Sequence, residues 1–97
     1  MYAVIFTAEL NHTDTEYAEM ASKLRKLALE KYHCLNFISS TENMNEIAIS
    51  YWENKEHITA WKNDPEHLRA QHLGRDKWYK SYQVLVSRIE NMYSSKA

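Results

Sequence analysis

The fold is decided by the first apolar stretch of the chain, YAVIFTA at residues 2–8. β-Branched and aromatic residues dominate it, which favours a strand. Successive side chains point to opposite faces, so Tyr2, Val4 and Phe6 share one face while Ala3 and Ile5 share the other. Both faces are apolar and need cover, so we expect this strand in the centre of a sheet.

A helix follows the first strand. Thr13 or Asp14 is expected to cap it, with Glu16 in its first turn. Apolar residues then recur at the i, i+3, i+4, i+7 spacing of a helix that buries one face. The members of this stripe are Tyr17, Met20, Ala21, Leu24, Leu27 and Ala28.

Two further strands are predicted at residues 34–41 and 45–53. The stretch between them, TENMN at residues 41–45, is polar and turn-like, so we expect a hairpin. Alternation along the second of these strands predicts that Ile47, Ile49 and Tyr51 share one face and that Ala48, Ser50 and Trp52 share the other.

Short helices and a last strand complete the chain. Asn54 is expected to cap a helix that carries Ile58 and Trp61. Asp64 followed by Pro65 is typical of another helix start. Gly74 is suited to end that helix. Residues 78–89 then return to strand, with Tyr82, Val84 and Val86 on one face and Leu85 and Ile89 on the other.

The predicted order, β-α-β-β-α-α-β, indicates an α+β fold, the ferredoxin-like split βαβ sheet with helices on one face. Residues 1–93 are expected to form a single domain and residues 94–97 a C-terminal tail. Helices can cover only one face of such a sheet, yet several strands are apolar on both. A large exposed apolar patch is a liability, so we expect a homodimer in which two sheets pack face to face as a dimeric α/β barrel.

Composition excludes several classes of function. The 97 residues carry a net charge of −1 with acids and bases mixed, so no basic stripe is available to bind nucleic acid. No segment is apolar over the roughly 20 residues that span a bilayer, and the first residues lack the features of a signal peptide. Cys34 is the single cysteine, so no internal disulfide can form. We therefore expect a cytoplasmic protein that contacts no membrane.

The densest polar and aromatic run lies between the last helix and the last strand, at residues 71–82. Its imidazole, guanidinium and aromatic rings suit a planar, partly anionic ligand. A surface cluster in which Arg75 pairs with Asp76 or Glu66 is the alternative. His72 follows Leu68 by four residues, so we expect it on the inward face of the helix, as a functional base or donor or as a hydrogen-bonded structural residue.

Several segments together resemble the antibiotic biosynthesis monooxygenase family. The first strand and the long first helix fit it as well, and the resemblance spans nearly the whole chain. A Pro-Gly turn that commonly precedes the second strand in that family is replaced here by Tyr32-His33-Cys34. The segments that carry the resemblance are Ser50-Tyr51-Trp52-Glu53, Ala60-Trp61-Lys62, Asp64-Pro65-Glu66-His67, Gly74-Arg75 and Trp78-Tyr79-Lys80-Ser81-Tyr82.

The resemblance implies a dimeric α/β barrel. For some members it also implies an oxidoreductase activity, the oxygenation of a small aromatic or quinone-like substrate with no metal or flavin cofactor. A base, donors for the substrate anion and a dry pocket are then required. By this analogy His72 is the catalytic base. The expected substrate-binding residues are Trp61, Arg75, Trp78, Tyr79 and Tyr82.

Two other functions stay open at this point. The chain is alternatively a non-catalytic dimeric module that binds a small molecule or stabilises an assembly, since a fold does not prove a function. Related proteins also degrade haem with an Asn on the first strand, a Trp, and a His in the later helix. The nearest counterparts here are Asn11, Trp61 and His72.

Overall fold

The computed structural model describes residues 1–95, and the last two residues of the expected tail lie outside them. Residues 89–95 have no regular secondary structure, and the domain boundary expected at residue 93 stays a prediction. The elements are β1 (Tyr2–Leu10), α1 (Thr15–Glu30), β2 (Asn36–Glu42), β3 (Asn45–Trp52), α2 (Lys55–Lys62), α3 (Pro65–Leu73), a π-helical turn (Gly74–Trp78) and β4 (Tyr79–Arg88).

The four strands form one antiparallel sheet in the order β2-β3-β1-β4. β1 is central, as its two apolar faces predicted. The expected α+β ferredoxin-like architecture is confirmed. The hairpin between β2 and β3 turns at Asn43 and Met44, whose φ angles of 51° and 64° are those of a type I′ turn.

Local capping explains where α1 begins and ends. Of the two predicted caps, Asp14 is the one used, and its Oδ1 accepts a hydrogen bond from Tyr17 N at 2.7 Å. After the helix, His33 has φ of 62°, the left-handed conformation that glycine favours. The Cys34 amide donates to the carbonyl of Ala28 at 2.9 Å and closes this end of the helix. His33 therefore adopts the left-handed conformation at the place where the family that the sequence resembles commonly has a glycine.

The core consists of two clusters of buried side chains on one side of the sheet. The larger is centred on Trp52 and the smaller on Trp78, and these are the two largest fully buried side chains. The larger cluster contains Val4, Ala28, Cys34, Trp52, Ile58 and Trp61, and the smaller contains Met20, Ala70 and Trp78.

Within residues 1–95, no helix lies on the opposite face of the sheet. Register and alternation place Ile5, Ile38, Ile49, Tyr51 and Leu85 there. We call this surface the open face. Ile38 and Leu85 are 49% and 47% exposed. The single chain therefore leaves uncovered the second apolar face that the sequence predicted.

Asp64 ties α1 to α3. Its carboxylate accepts hydrogen bonds from Tyr32 Oη at 2.5 Å and from Glu66 N at 2.9 Å, and Lys31 Nζ lies 3.5 Å away. The bond from Tyr32 is the largest cause that holds the pKa of Asp64 below its ordinary value of 3.8, followed by the amide of Glu66. This side chain thus caps α3 and anchors the end of α1 at once.

Replacing Asp64 by alanine is expected to lower the free energy of unfolding by about 1–3 kcal/mol at pH 7, because a helix cap and a buried acceptor are both lost. Because the folded pKa is lowered, this stabilisation is present above pH 3.8 and disappears as the pH falls through the folded value. Urea denaturation of the wild type and Asp64→Ala at several pH values measures both effects. The exposed Asp76→Ala variant is the control, and an equal loss in both variants contradicts the assignment.

Candidate functional site

A partly enclosed cavity of about 460 Å³ lies between the sheet and the helices. Its wall includes members of both core clusters. Every strand contributes residues from its helix-covered face. The aromatic side chains in its wall are Phe6, Tyr17, Phe37, Trp61, Trp78, Tyr79 and Tyr82.

Trp61 is fixed in the wall by α1. Its Nε1 donates to the Leu24 carbonyl at 3.1 Å. Its ring packs against Trp52 with centroids 5.3 Å apart, and the His67 ring meets it edge-on at 4.4 Å. A hydrogen bond and two ring contacts therefore fix the orientation of the indole, as a binding residue requires.

His67 is the histidine in the wall of the cavity. Its Nδ1 lies 3.0 Å from Gln71 Nε2, which can only donate, so the neutral ring carries its proton on Nε2. Burial is the main cause that lowers the pKa of His67 below 6.5. The ring is consequently neutral at pH 7 and offers an N–H donor.

A carboxylate lies in the wall between β3 and the start of α1. Glu46 Oε2 accepts hydrogen bonds from Tyr17 Oη and from Thr41 Oγ1, the latter at 2.9 Å. Burial first, and then the bond to Glu46, raise the pKa of Tyr17, so its hydroxyl stays protonated. Glu46 also borders a more open groove of about 650 Å³ that lies mainly on the open face.

Tyr79 belongs to an aromatic cluster beside this carboxylate. Its ring centroid is 5.4 Å from that of Phe6 and 5.5 Å from that of Tyr82. Burial and then the charge of Glu46 raise the pKa of Tyr79 to about 12. A negative field therefore reaches this part of the wall, and it disfavours a second anion.

Gly74 positions Tyr79. The α-helix ends at Leu73 as predicted, but Gly74 keeps right-handed helical angles (φ −60°, ψ −48°) and the chain continues into the π-helical turn. A Cβ on Gly74 would lie 2.7 Å from Tyr79 Cδ2 and nearer still to Cε2. Glycine is needed here for space rather than for a left-handed backbone.

Four of the predicted site residues, Trp61, Trp78, Tyr79 and Tyr82, line the cavity, whereas His72 and Arg75 do not. The inward position predicted for His72 is wrong. Its side chain is 73% exposed, with Nε2 3.1 Å from Asp76 Oδ2, and Leu68 on the same stripe is 48% exposed. Instead, Ala70 is on the inward side of α3, with His67 and Leu73 on either side of it.

The three counterparts of a haem-degrading site are not brought together. Trp61 lines the cavity, but Asn11 is an exposed residue beyond β1. The backbone N–H of Asn11 donates to the Trp78 carbonyl at 2.8 Å. His72 is on the outer surface of α3. In the single chain this set does not form one site.

Sequence reasoning missed His67 and Glu46, although a signal existed for both. Glu46 is two residues before Ala48 on a strand, so alternation places it on the face that Trp52 buries. His67 is three residues before Ala70, which is the spacing of one helix face. The prediction assumed that the apolar Leu68 faces inward, and it therefore placed the inward stripe on the wrong side of α3.

Metal-ligand clusters and membrane-spanning helices are both absent from the described part of the chain. Between residues 1 and 95, no three or more His, Cys, Asp and Glu side chains are grouped so that they could hold a metal ion. No helix in that range is long and apolar enough to cross a membrane.

Comparison with known proteins separates fold from activity. Among solved structures, SnoaB, a cofactor-independent oxygenase from Streptomyces nogalater, superposes with a TM-score of 0.78 at 7% identity, covering 97% of both chains. An antibiotic biosynthesis monooxygenase superposes with a TM-score of 0.75 at 12% identity over 94% of this chain and all of the other. A conserved protein from Methanosarcina mazei gives 0.77 at 11% identity over 90% of each.

The chain has the fold of the antibiotic biosynthesis monooxygenases, as the resemblance implied. No family model matches its sequence. It belongs to the family of the uncharacterized protein YqjZ of Bacillus subtilis (strain 168), to which it is 36% identical over 90 residues, or 92% of this chain and 79% of the relative.

Adding a methyl group at Gly74 tests the placement of Tyr79. Gly74→Ala is expected to destabilise the protein by about 1–3 kcal/mol because the ring must move. In a Tyr79→Ala background the same change should be neutral or stabilising by up to about 1 kcal/mol, since alanine favours helix over glycine. Urea denaturation of the four proteins measures this coupling. Equal effects in both backgrounds contradict the predicted clash.

Proposed function

We propose that this protein is a monooxygenase that acts without metal or flavin on a small aromatic or quinone-like substrate bound in the cavity. The observation that carries the proposal is the cavity of about 460 Å³, whose wall combines seven aromatic side chains with several polar ones. Such a space suits a flat apolar molecule that a few polar contacts orient. The shared fold with a cofactor-independent oxygenase supports the same chemistry.

The reaction needs a substrate that becomes an electron-rich anion. For a ring methylene of the anthrone type, the balance is R₂CH₂ + O₂ → R₂C=O + H₂O. A base removes one proton, the carbanion gives one electron to O₂, and the two radicals combine as a peroxide. Loss of the second C–H proton then breaks the O–O bond and releases water.

His67 is the best-supported contact for the anion that forms. His67 lines the cavity, and its neutral ring carries an N–H donor at Nε2. A fixed donor aimed at a developing oxyanion stabilises the transition state. Trp61 and Trp78 supply flat surfaces against which a ring packs. The roles predicted for His72 and Arg75 remain predictions that variants test.

The proposal includes a homodimer, formed through the open face. The apolar residues of this face are supplied by all four strands, and no helix of the same chain covers them. β4 is exposed from Lys80 to Arg88, including Val84 on the cavity side. A second copy that covers the open face removes a patch that favours aggregation. The expected cytoplasmic location is likewise a prediction.

A matched pair of leucines tests the dimer. Leu85→Glu places a charge on the open face, while Leu68→Glu places one on the outer side of α3, and the two leucines are 47% and 48% exposed. We expect the wild type and Leu68→Glu to sediment at twice 11.5 kDa at micromolar concentration and Leu85→Glu to sediment as a monomer. A folded wild-type monomer of 11.5 kDa would falsify the homodimer.

Oxygen uptake tests the activity. With a panel of anthrones and hydroquinones, the wild type is expected to consume one O₂ for each ketone formed from an anthrone. His67→Leu, which removes the N–H donor, should lower kcat by about 100-fold, the usual effect of losing one oxyanion donor. The exposed His12→Leu variant is the control. Unchanged uptake in His72→Gln would refute the base assignment made from the sequence.

Two outcomes would favour the other functions. Ligand-dependent quenching of tryptophan fluorescence without any oxygen uptake indicates a binding module. A Soret shift on addition of haemin indicates a haem protein, and no shift removes that possibility.

A further inference from the structure

Glu46 is the one acidic side chain in the wall of the cavity. It lies on β3 opposite Ala8 of β1 and Thr41 of β2, on the side of the sheet that the helices cover. Its side chain is half-buried. A carboxylate in this position loses part of its hydration and needs donors in return.

Two hydroxyl groups supply donors to one of its oxygens. Tyr17 Oη and Thr41 Oγ1 both donate to Oε2. Within residues 1–95, Oε1 accepts no hydrogen bond from the protein, and no Lys, Arg or His forms an ion pair with Glu46. One acceptor of an acceptor-only group is therefore available to a ligand.

Aromatic side chains line the same cavity as Glu46. The rings of Tyr79 and Tyr82 lie within 5.5 Å of each other, and the Tyr17 ring meets Trp78 edge-on at 5.2 Å. All four side chains line the cavity. A ligand that reaches Oε1 from inside the cavity thus presents its donor while its body contacts aromatic rings.

The charges around the cavity indicate whether the ligand group that donates to Oε1 is neutral or charged. The field of Glu46 raises the pKa of the neighbouring Tyr79, and the same field repels a ligand carboxylate. Arg25 and Lys62 also line the cavity and disfavour a cationic ligand. The carboxylate already binds two neutral hydroxyls in this setting.

We propose that Glu46 is a specificity-determining residue that selects planar aromatic ligands presenting a phenolic hydroxyl to its Oε1. The inference rests on the proposed function, because it assumes that the cavity holds the substrate. It also deepens that function: a hydroxyl that donates to a carboxylate makes its ring more electron-rich, and reaction with O₂ requires an electron-rich ring.

Isothermal titration calorimetry under nitrogen tests this selection independently of turnover. The probes are 2-naphthol, 2-methoxynaphthalene with its donor blocked, 2-naphthoate as the anion and 2-naphthylmethylammonium as the cation. We expect the wild type to bind 2-naphthol at least about tenfold more tightly than the other three, as a hydrogen bond to a charged group implies. Glu46→Gln, which keeps the size of the side chain, should reduce this preference to within about threefold.

Two further variants guard against indirect effects. Glu42→Gln removes the same charge from an exposed residue that lies outside the cavity and should leave the preference unchanged. Tyr17→Phe removes one hydroxyl from Oε2 but keeps the carboxylate, so the preference should persist. Loss of the preference in Tyr17→Phe but not in Glu46→Gln would assign the selection to Tyr17 and overturn the proposal.

The remaining outcomes are also decisive. Tightest binding of the ammonium probe would mean that Glu46 recognises a cation, and equal binding of 2-naphthol and 2-methoxynaphthalene would mean that it reads no hydroxyl. Failure of every probe to bind would likewise overturn the selection by Glu46. A wild type that prefers 2-naphthol yet consumes no oxygen would support the selection and refute the oxygenase, so the two proposals fail separately.

Discussion

The packing of two tryptophans, Trp52 on β3 and Trp78 at the end of the π-helical turn, is the constraint on which the site depends. Each is fully buried and each is at the centre of one core cluster. Both rings belong to the core on the helix-covered side of the sheet, and residues from both clusters line the cavity. An interior packed evenly with aliphatic side chains would close such a space, because protein cores are dense.

Two polar side chains of the cavity wall, Glu46 and His67, offer a ligand opposite kinds of hydrogen bond. Glu46, with its two hydroxyl partners, contributes an acceptor, while His67 contributes a donor from a ring that burial keeps neutral. The two hydroxyl partners of Glu46 come from two different elements. Thr41 is on the adjacent strand and Tyr17 is on α1. A ligand that carries an acceptor and a hydroxyl on one flat frame would satisfy both groups.

The open face gives a physical reason for a second copy. Ile38, Ile49 and Leu85 lie on three different strands, and the pleat turns all three away from the helices. The helix-covered face of β4 is also exposed at Val84. A second chain that also packs against Val84 would therefore cover the β4 side of the cavity as well as the open face.

The sequence by itself determined the order of the elements, the central place of β1 and which side chains share a face on β3, because the two-residue alternation of a strand is local. The resemblance indicated four of the cavity residues, Trp61, Trp78, Tyr79 and Tyr82, and the last three also fall in the polar and aromatic run at residues 71–82. Only the tertiary structure decided which side of α3 faces inward. The packing of α3 on α1 and the sheet decides whether His67 or His72 faces inward. The small side chain of Ala70 permits a close approach on one side of α3, while His72 lies beside Asp76 on the exposed side. The pairing of Tyr17 with Glu46 likewise joins residues 29 apart, which no local pattern can encode.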